Sequence, residues 1–243
     1  MRVDVAPTAE AVTPGQLTGT TVLVIDVLRA STSIISALDA GCSAIVPVAG
    51  PGEALRRARG PAGAGILVAG ERRGLPIRGF DLGNSPLEFA DGRVRDKTIV
   101  LTTSNGTRAL LAARGAAAVG VAAFVNLSAA AAWAIGSARD VLVLCAGERG
   151  RRSLEDWVCA GLLVMRMTSA APGLDVTPAA AAAVAEARGY AREPTRLAVD
   201  SPWARRLAAV GRGRDIAACL QIDTTTLVPV YVTSVDKVVA GPR

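Results

Sequence analysis

Two segments of the chain set a glutamate and an arginine directly behind an apolar run: "ILVAGERRG" at 66–74 and "LVLCAGERG" at 142–150. In a parallel sheet, ligands collect beyond the carboxyl ends of strands. Each Ala-Gly-Glu-Arg therefore predicts a carboxylate (Glu71, Glu148) and a guanidinium (Arg72, Arg149) at such an end. Asp26 closes a third apolar run, "TVLVID". A carboxylate at a strand tip is costly unless it is bonded or used. The helix predicted behind it offers Ser31, Thr32 or Ser33 as N-cap, and a capped helix start attracts anions. The plainer alternative is an Asp26 that only satisfies backbone groups in a tight turn.

None of the 243 residues is histidine. That excludes His-based acid–base catalysis, phosphohistidine chemistry, Ser/His/Asp triads and His-ligated metals. Any chemistry falls to carboxylates, thiols, hydroxyls and arginines.

Three further stretches carry such groups. "RGFDLGNSPLEFA" at 78–90 combines Gly79, Gly83, Asn84 and Ser85-Pro86, which reads as a structural elbow or as a binding loop around Asp81. "LTTSNGTRAL" at 101–110 gathers Ser104, Asn105, Gly106 and Thr107 between a strand end and a helix start. It is a capped turn or a phosphate site, without a GxGxxG or Walker pattern. "CAGERGRRSLEDWVCAG" at 145–161 adds Glu155 and Asp156 to Glu148. Acids at a helix start often only compensate the dipole. Several carboxylates converging without histidine form an oxygen-only site, which favours Mg²⁺ or Mn²⁺ over zinc. The same stretch offers a rival, because Cys145, five residues and Arg151 match cysteine-phosphatase spacing in a strand-loop-helix context.

The elements that must hold these groups alternate. Strands are predicted over 21–25, 44–47, 65–69, 98–101, 117–121 and 141–145, with helices over 32–40, 52–59, 106–114 and 127–137 between them. Helical patterns follow at 153–169, 177–188 and 203–210, then the β-branched run "TTTLVPVYVTSV", expected to close the sheet as a strand, antiparallel if so. The fold class is α/β: a mixed, largely parallel sheet covered by helices in α/β/α layers, formed by 1–243 as one domain. Glu71 and Glu148 lie 77 positions apart, as do Thr21 and Thr98. The shared offset predicts an internal duplication of 21–90 onto 98–164, with 165–243 as a C-terminal extension; chance similarity in an Ala/Val/Gly-rich chain is the alternative. The hydrophobic fraction of 51% with 3% aromatics predicts an aliphatic core. No apolar run reaches the roughly 20 residues of a membrane span, and no secretory pattern opens the chain, so a cytoplasmic location is expected. The four widely spaced cysteines read as reduced and buried. A net charge of +6 spread over scattered arginines suits a small anionic substrate better than nucleic acid.

In order along the chain, "VIDVLRAST", "AGERRG", "GFDLGNSP", "TTSNGTRAL" and "CAGERGRRSLEDWVCAG" resemble the 2-phosphosulfolactate phosphatase family. "LAVDSPWARRLAAVGRGRDIAACLQID" and "VPV" extend the likeness more weakly toward the C-terminus. Ser104 stands where the family usually has threonine, Arg73 where it has glycine, and Trp203 near a position often held by histidine. The resemblance implies Mg²⁺-dependent hydrolysis of (2R)-2-phospho-3-sulfolactate to (2R)-3-sulfolactate and phosphate, as in coenzyme M biosynthesis. On that reading Mg²⁺ is held by carboxylates drawn from Asp26, Glu71, Asp81, Glu148, Glu155 and Asp156. Asp26, Arg29, Glu148 and Asn105 act on the reacting group. Arg72, Arg108 and Arg149, with Ser31, Thr32, Asn84, Ser85, Ser104, Gly106 and Thr107, bind the anionic phosphoester. Attack by water and attack by Asp26 through an aspartyl phosphate both stay open. The alternatives are another 2-phosphohydroxy acid as substrate, the Cys145/Arg151 route, and a basic module that binds nucleotides or nucleic acid. No membrane partner is expected, and a homodimer is the common assembly.

Overall fold

The run Thr21–Ile25 is buried at every position because both faces of the sheet containing it are covered. In the computed structural model, which describes residues 1–59, 65–90 and 92–241, eleven strands form that sheet. They are β1 (Arg2–Ala6), β2 (Thr21–Ile25), β3 (Ala44–Pro47), β4 (Ile66–Arg72), β5 (Leu75–Pro76), β6 (Thr98–Thr102), β7 (Ala118–Ala122), β8 (Val141–Cys145), β9 (Asp175–Val176), β10 (Pro229–Val232) and β11 (Lys237–Ala240). The helices are α1 (Ala30–Asp39), α2 (Pro51–Ala58), α3 (Pro86–Phe89), α4 (Gly106–Ala112), α5 (Leu127–Gly136), α6 (Leu154–Ala170), α7 (Pro178–Ala187), α8 (Leu197–Asp200), α9 (Pro202–Ala209) and α10 (Gly213–Cys219). Side chains alternate faces along a strand. Val22 and Val24 accordingly pack with Ile34, Ile35 and Leu38 of α1, while Leu23 and Ile25 pack with Leu127 of α5 and Val158 and Leu163 of α6. These are the expected α/β/α layers, and they explain why the strands read as continuous apolar runs. No helix among the described residues is long and apolar enough to cross a membrane.

The strand order is β5, β4, β6, β3, β11, β10, β7, β2, β8, β1, β9. The C-terminal segment therefore does not close the sheet, which stays open between β5 and β9. Instead β10 and β11 form an antiparallel hairpin in its middle, β10 against β7 and β11 against β3. Each flank is parallel within itself, β3 with β6 and β4 on one side, β7 with β2 and β8 on the other. Across the hairpin the two flanks run in opposite senses. Strands separated by the repeat offset occupy mirror places: β4 with β8, β6 with β2, β3 with β7. The duplication itself remains a reading of the sequence.

Opposed flanks would point their carboxyl ends apart in a flat sheet. Neighbouring strands twist by about 20–25°, and that rotation accumulates from β6 to β2. The tips of β2, β4, β6 and β8 consequently line one cleft.

Removing the hairpin should therefore unfold the chain rather than trim an edge. Leu227, Val228, Tyr231 and Val238 are all buried, and each such side chain contributes about 1.5–3 kcal/mol, a large part of a typical total stability of about 5–15 kcal/mol. A chain ending at Thr226 is expected to show no cooperative urea transition. A native far-UV spectrum with a cooperative transition would contradict the central placement.

Candidate active site

Asp26 lines the inner part of the cleft, directly after β2, and is 8% exposed. Its backbone N–H donates to Ser31 Oγ at 2.8 Å, and its carboxylate Oδ1 accepts from the Ala30 N–H at 3.2 Å. Asp26 thus caps α1, which begins at Ala30, so Ser31, Thr32 and Ser33 lie inside the helix rather than at its N-cap. Ser31 and Thr32 brace the turn behind the cleft, Thr32 Oγ1 donating to the Val27 carbonyl at 2.9 Å. Among the described residues only Oδ1 of the Asp26 carboxylate takes a hydrogen bond, and Oδ2 faces Gly106. Burial raises this carboxyl to about 7; the Ala30 amide lowers it, the charges of Glu71 and Glu155 raise it further, and Arg29 lowers it. Gly106, opposite, is required by space: a Cβ there would stand 2.6 Å from Asp26 Oδ2 and 2.4 Å from the Ala30 Cβ.

Glu71 ends β4 with both carboxylate oxygens fixed by backbone amides, Oε1 by Ser104 at 2.6 Å and Oε2 by Gly74 at 2.7 Å. The β6–α4 turn thereby grips the β4 tip. Glu148 enters from the far side, paired with Arg206. Asn84 is 4% exposed, lines the cleft, and its side-chain oxygen Oδ1 has no hydrogen-bond partner. Such an orphaned buried acceptor costs free energy unless something fills the cleft. Arg29 also lines the cleft, but its guanidinium is held by Asp215 and by the Gly74 carbonyl at 2.8 Å, both inside the protein. It ties the start of α1 to the turn after β4.

Several expected site residues lie elsewhere. Asp81 is exposed on the outer edge of β4, where its Oδ2 accepts from the Val68 N–H at 2.8 Å, so it is no cleft ligand. Asp156 lies behind the cleft with both oxygens taken, Oδ1 by the Val27 N–H at 2.8 Å and Oδ2 by the Gly147 N–H at 3.1 Å. It clamps the turns after β2 and β8 together. Glu155 is buried and accepts from Ser201 Oγ at 2.7 Å. Burial first, then neighbouring acids, pushes both carboxyls above their usual range. Ser85 donates to Asp215 at 2.7 Å, and Thr107 exchanges hydrogen bonds with Thr103. Arg72 donates to Thr102 Oγ1 at 2.9 Å, and Arg108 pairs with Glu10 at 2.6 Å; neither lines the cleft.

The cysteine-phosphatase alternative fails on the same geometry. Cys145 is fully buried in β8, and burial, with the charge of Asp156 added, pushes its thiol well above the usual range, the reverse of an activated nucleophile. Two participants have no local sequence signal, Asp215, which pairs with Arg29, and Arg206, which pairs with Glu148; Trp203, whose Nε1 donates to the Leu28 carbonyl at 2.8 Å, stands out in the sequence only as a departure from a family pattern. Arg73, known beforehand only as a departure from a family pattern, also lines the cleft.

The cleft's donors are all oxygens: Asp26 Oδ2, the carboxylates of Glu71 and Glu148, and Asn84 Oδ1. Among the described residues no three His, Cys, Asp or Glu side chains converge as a ready cage. Oxygen donors of this kind are the ones Mg²⁺ takes, as one or two carboxylates beside phosphate oxygens and water.

Asp26 gives a pH prediction for the metal-free protein. Its folded value lies above its ordinary 3.8, so between that value and about 7 the folded chain holds a proton that the unfolded chain has released. Stability falls as pH rises through this window, and above it the cost is fully present. Asp26→Asn removes the cost. Under EDTA the variant should melt on the order of 5 °C above wild type at pH 8, with that advantage vanishing near pH 4. Parallel melting curves for the two proteins across the range would contradict the burial argument.

A family model described as 2-phosphosulpholactate phosphatase matches residues 7–234. A Thermotoga petrophila relative is 38% identical over 215 residues, covering 88% of this chain and 90% of its own. One from Symbiobacterium thermophilum is 36% identical over 216 residues, with 89% and 93% covered. A third, from Clostridium tetani, is 32% identical over 237 residues, with 98% and 100% covered. Each bears the name "Probable 2-phosphosulfolactate phosphatase". With the match running through the cleft-forming segments and nearly the whole chain, this protein belongs to the 2-phosphosulfolactate phosphatase family, a group of phosphoric monoester hydrolases.

Proposed function

We propose that the chain is a Mg²⁺-dependent phosphatase that hydrolyses (2R)-2-phospho-3-sulfolactate to (2R)-3-sulfolactate and phosphate, a cytoplasmic step of the coenzyme M biosynthesis type. The observation that carries the reading is the unpartnered, buried Asn84 Oδ1 in one cleft with the carboxylates of Asp26 and Glu71, since that oxygen has no use inside the protein. Asp26 and Glu71, with Asn84, would hold Mg²⁺, which would supply Lewis-acid stabilisation of the phosphoryl group.

The residues do the rest by position and charge. Phosphoryl transfer asks mainly for alignment and charge stabilisation, so the lack of histidine is no obstacle. Asp26 accepts the proton of the attacking water. The water oxygen bonds to phosphorus, the bond from phosphorus to the substrate's C2 oxygen breaks, and that oxygen takes a proton from solvent to leave as the hydroxyl of sulfolactate, while Asp26 returns its proton to solvent. Glu71, locked by the Ser104 and Gly74 amides, keeps its carboxylate in one orientation throughout. Leu28 and Trp203 form the apolar part of the wall and limit water.

Phosphate release should stop with EDTA, return with Mg²⁺ and survive Cys145→Ser. Asp26→Asn should lower kcat by about 100-fold or more, within the range for a lost general base. Release that ignores EDTA but dies with the serine variant would select the thiol route. Salt-sensitive nucleic-acid binding with no phosphate release would select a binding module.

A further inference from the structure

Two cations lining the cleft have no side-chain partner among the described residues. The Arg29 guanidinium is taken by Asp215 and Gly74, and Arg206, which borders the adjoining hollow, pairs with Glu148. Arg73 and Arg149, by contrast, line both the cleft and that hollow with no ion pair or side-chain hydrogen bond. Both are exposed.

Their backbones are fixed although their guanidinium groups are free. The Arg73 N–H donates to Ser104 Oγ and the Arg149 N–H to Asn105 Oδ1, each at 3.4 Å, so the two arginines attach to consecutive residues of the β6–α4 turn. Both adopt left-handed backbone conformations, φ 56° and 51°, which L-residues with a Cβ rarely take. Glycine would hold those angles more cheaply. A long cationic side chain kept there, on each side of one turn, is explained by what it reaches.

The rest of the cleft decides what that is. Its inner end is acidic, with Asp26, Glu71 and Glu148, and repels any anionic group not bridged by a cation. The phosphoryl group goes to that end on the reading above. A second anionic group on the same small molecule finds its only uncommitted cations, among the described residues lining the cleft, at Arg73 and Arg149. We propose that these two arginines clamp the non-transferred strong-acid group of the substrate, its sulfonate, and set specificity for phosphoesters that carry a sulfonate beside the carboxylate over those that carry the carboxylate alone. A sulfonate offers three oxygens that do not protonate at neutral pH, matching two guanidinium forks.

This inference rests on the phosphatase reading, and its test separates the two. Wild type, Arg73→Gln and Arg149→Gln are assayed with Mg²⁺ on 2-phospho-3-sulfolactate and on 2-phospholactate, which carries a methyl group in place of the sulfonate-bearing carbon. In each variant the ratio of kcat/KM for the sulfonated ester to that for the plain ester should fall about tenfold, as expected for one lost charge-assisted contact. An unchanged ratio overturns the clamp, including the case in which both esters lose rate equally because the arginines hold the phosphate. Calorimetric binding of 3-sulfolactate gives a readout without turnover. Wild-type binding weakened about tenfold in both variants supports the clamp even if neither ester is hydrolysed, a result that would sink only the phosphatase reading. No 3-sulfolactate binding by wild type, or equal binding by all three proteins, overturns it.

Discussion

Like charges held together out of water are the constraint around which this fold is arranged. Asp26, Glu71, Glu155 and Asp156 are all buried; the charges of Glu71 and Glu155 raise the proton affinity of Asp26, and those of Asp26 and Glu155 raise that of Asp156. Each carboxylate is answered locally: Asp26 by Ala30, Glu71 by Ser104 and Gly74, Asp156 by Val27 and Gly147, Glu155 by Ser201. Those bonds offset desolvation but bring no opposite charge. Arg29, the buried cation nearby, is already matched by Asp215. Among the described residues none of these four carboxylates has an ion pair, an arrangement that trades stability for a function.

The topology makes that concentration possible. A single parallel sheet would deliver acids from adjacent strand tips along one edge. Here the β10–β11 hairpin separates two oppositely directed flanks, and the accumulated twist turns the tips of β2 and β8 toward those of β4 and β6. The Asp26 carboxylate meets the α4 start across this gap, close enough that only glycine fits at 106. The cleft is therefore built from four strand ends and from the α9 and α10 region, where Trp203 lines it and Arg206 and Asp215 hold Glu148 and Arg29.

What could be read in advance follows the same division. β2, β3 and β8 match their apolar runs because burial on both faces leaves a continuous hydrophobic signature. β4 runs past its predicted end to Arg72, since the first Glu-Arg pairs with β5 at Leu75 and Pro76. β1 has no clear local signal: "RVDVA" is short and partly polar, and long-range pairing with β8 and β9 holds it in place. Asp26, Glu71 and Glu148 were visible as acids behind apolar runs. Asp81 carried a similar local signal yet sits on the outer edge of β4, a distinction that depends on which side of the strand the loop returns. Glu155 and Asp156, at a helix start, serve packing and turn closure. Asp215 and the orphaned oxygen of Asn84 depend on contacts spanning the chain, for which no local pattern exists.

The most direct measurement is calorimetric titration of Mg²⁺ into metal-free protein. One site per chain is predicted in wild type, weakened at least tenfold in Asp26→Asn and in Glu71→Gln, and retained in Asp81→Asn, whose carboxylate only braces the edge of β4. Equal Mg²⁺ affinity in wild type and Asp26→Asn, or loss of binding in Asp81→Asn alone, would contradict the account.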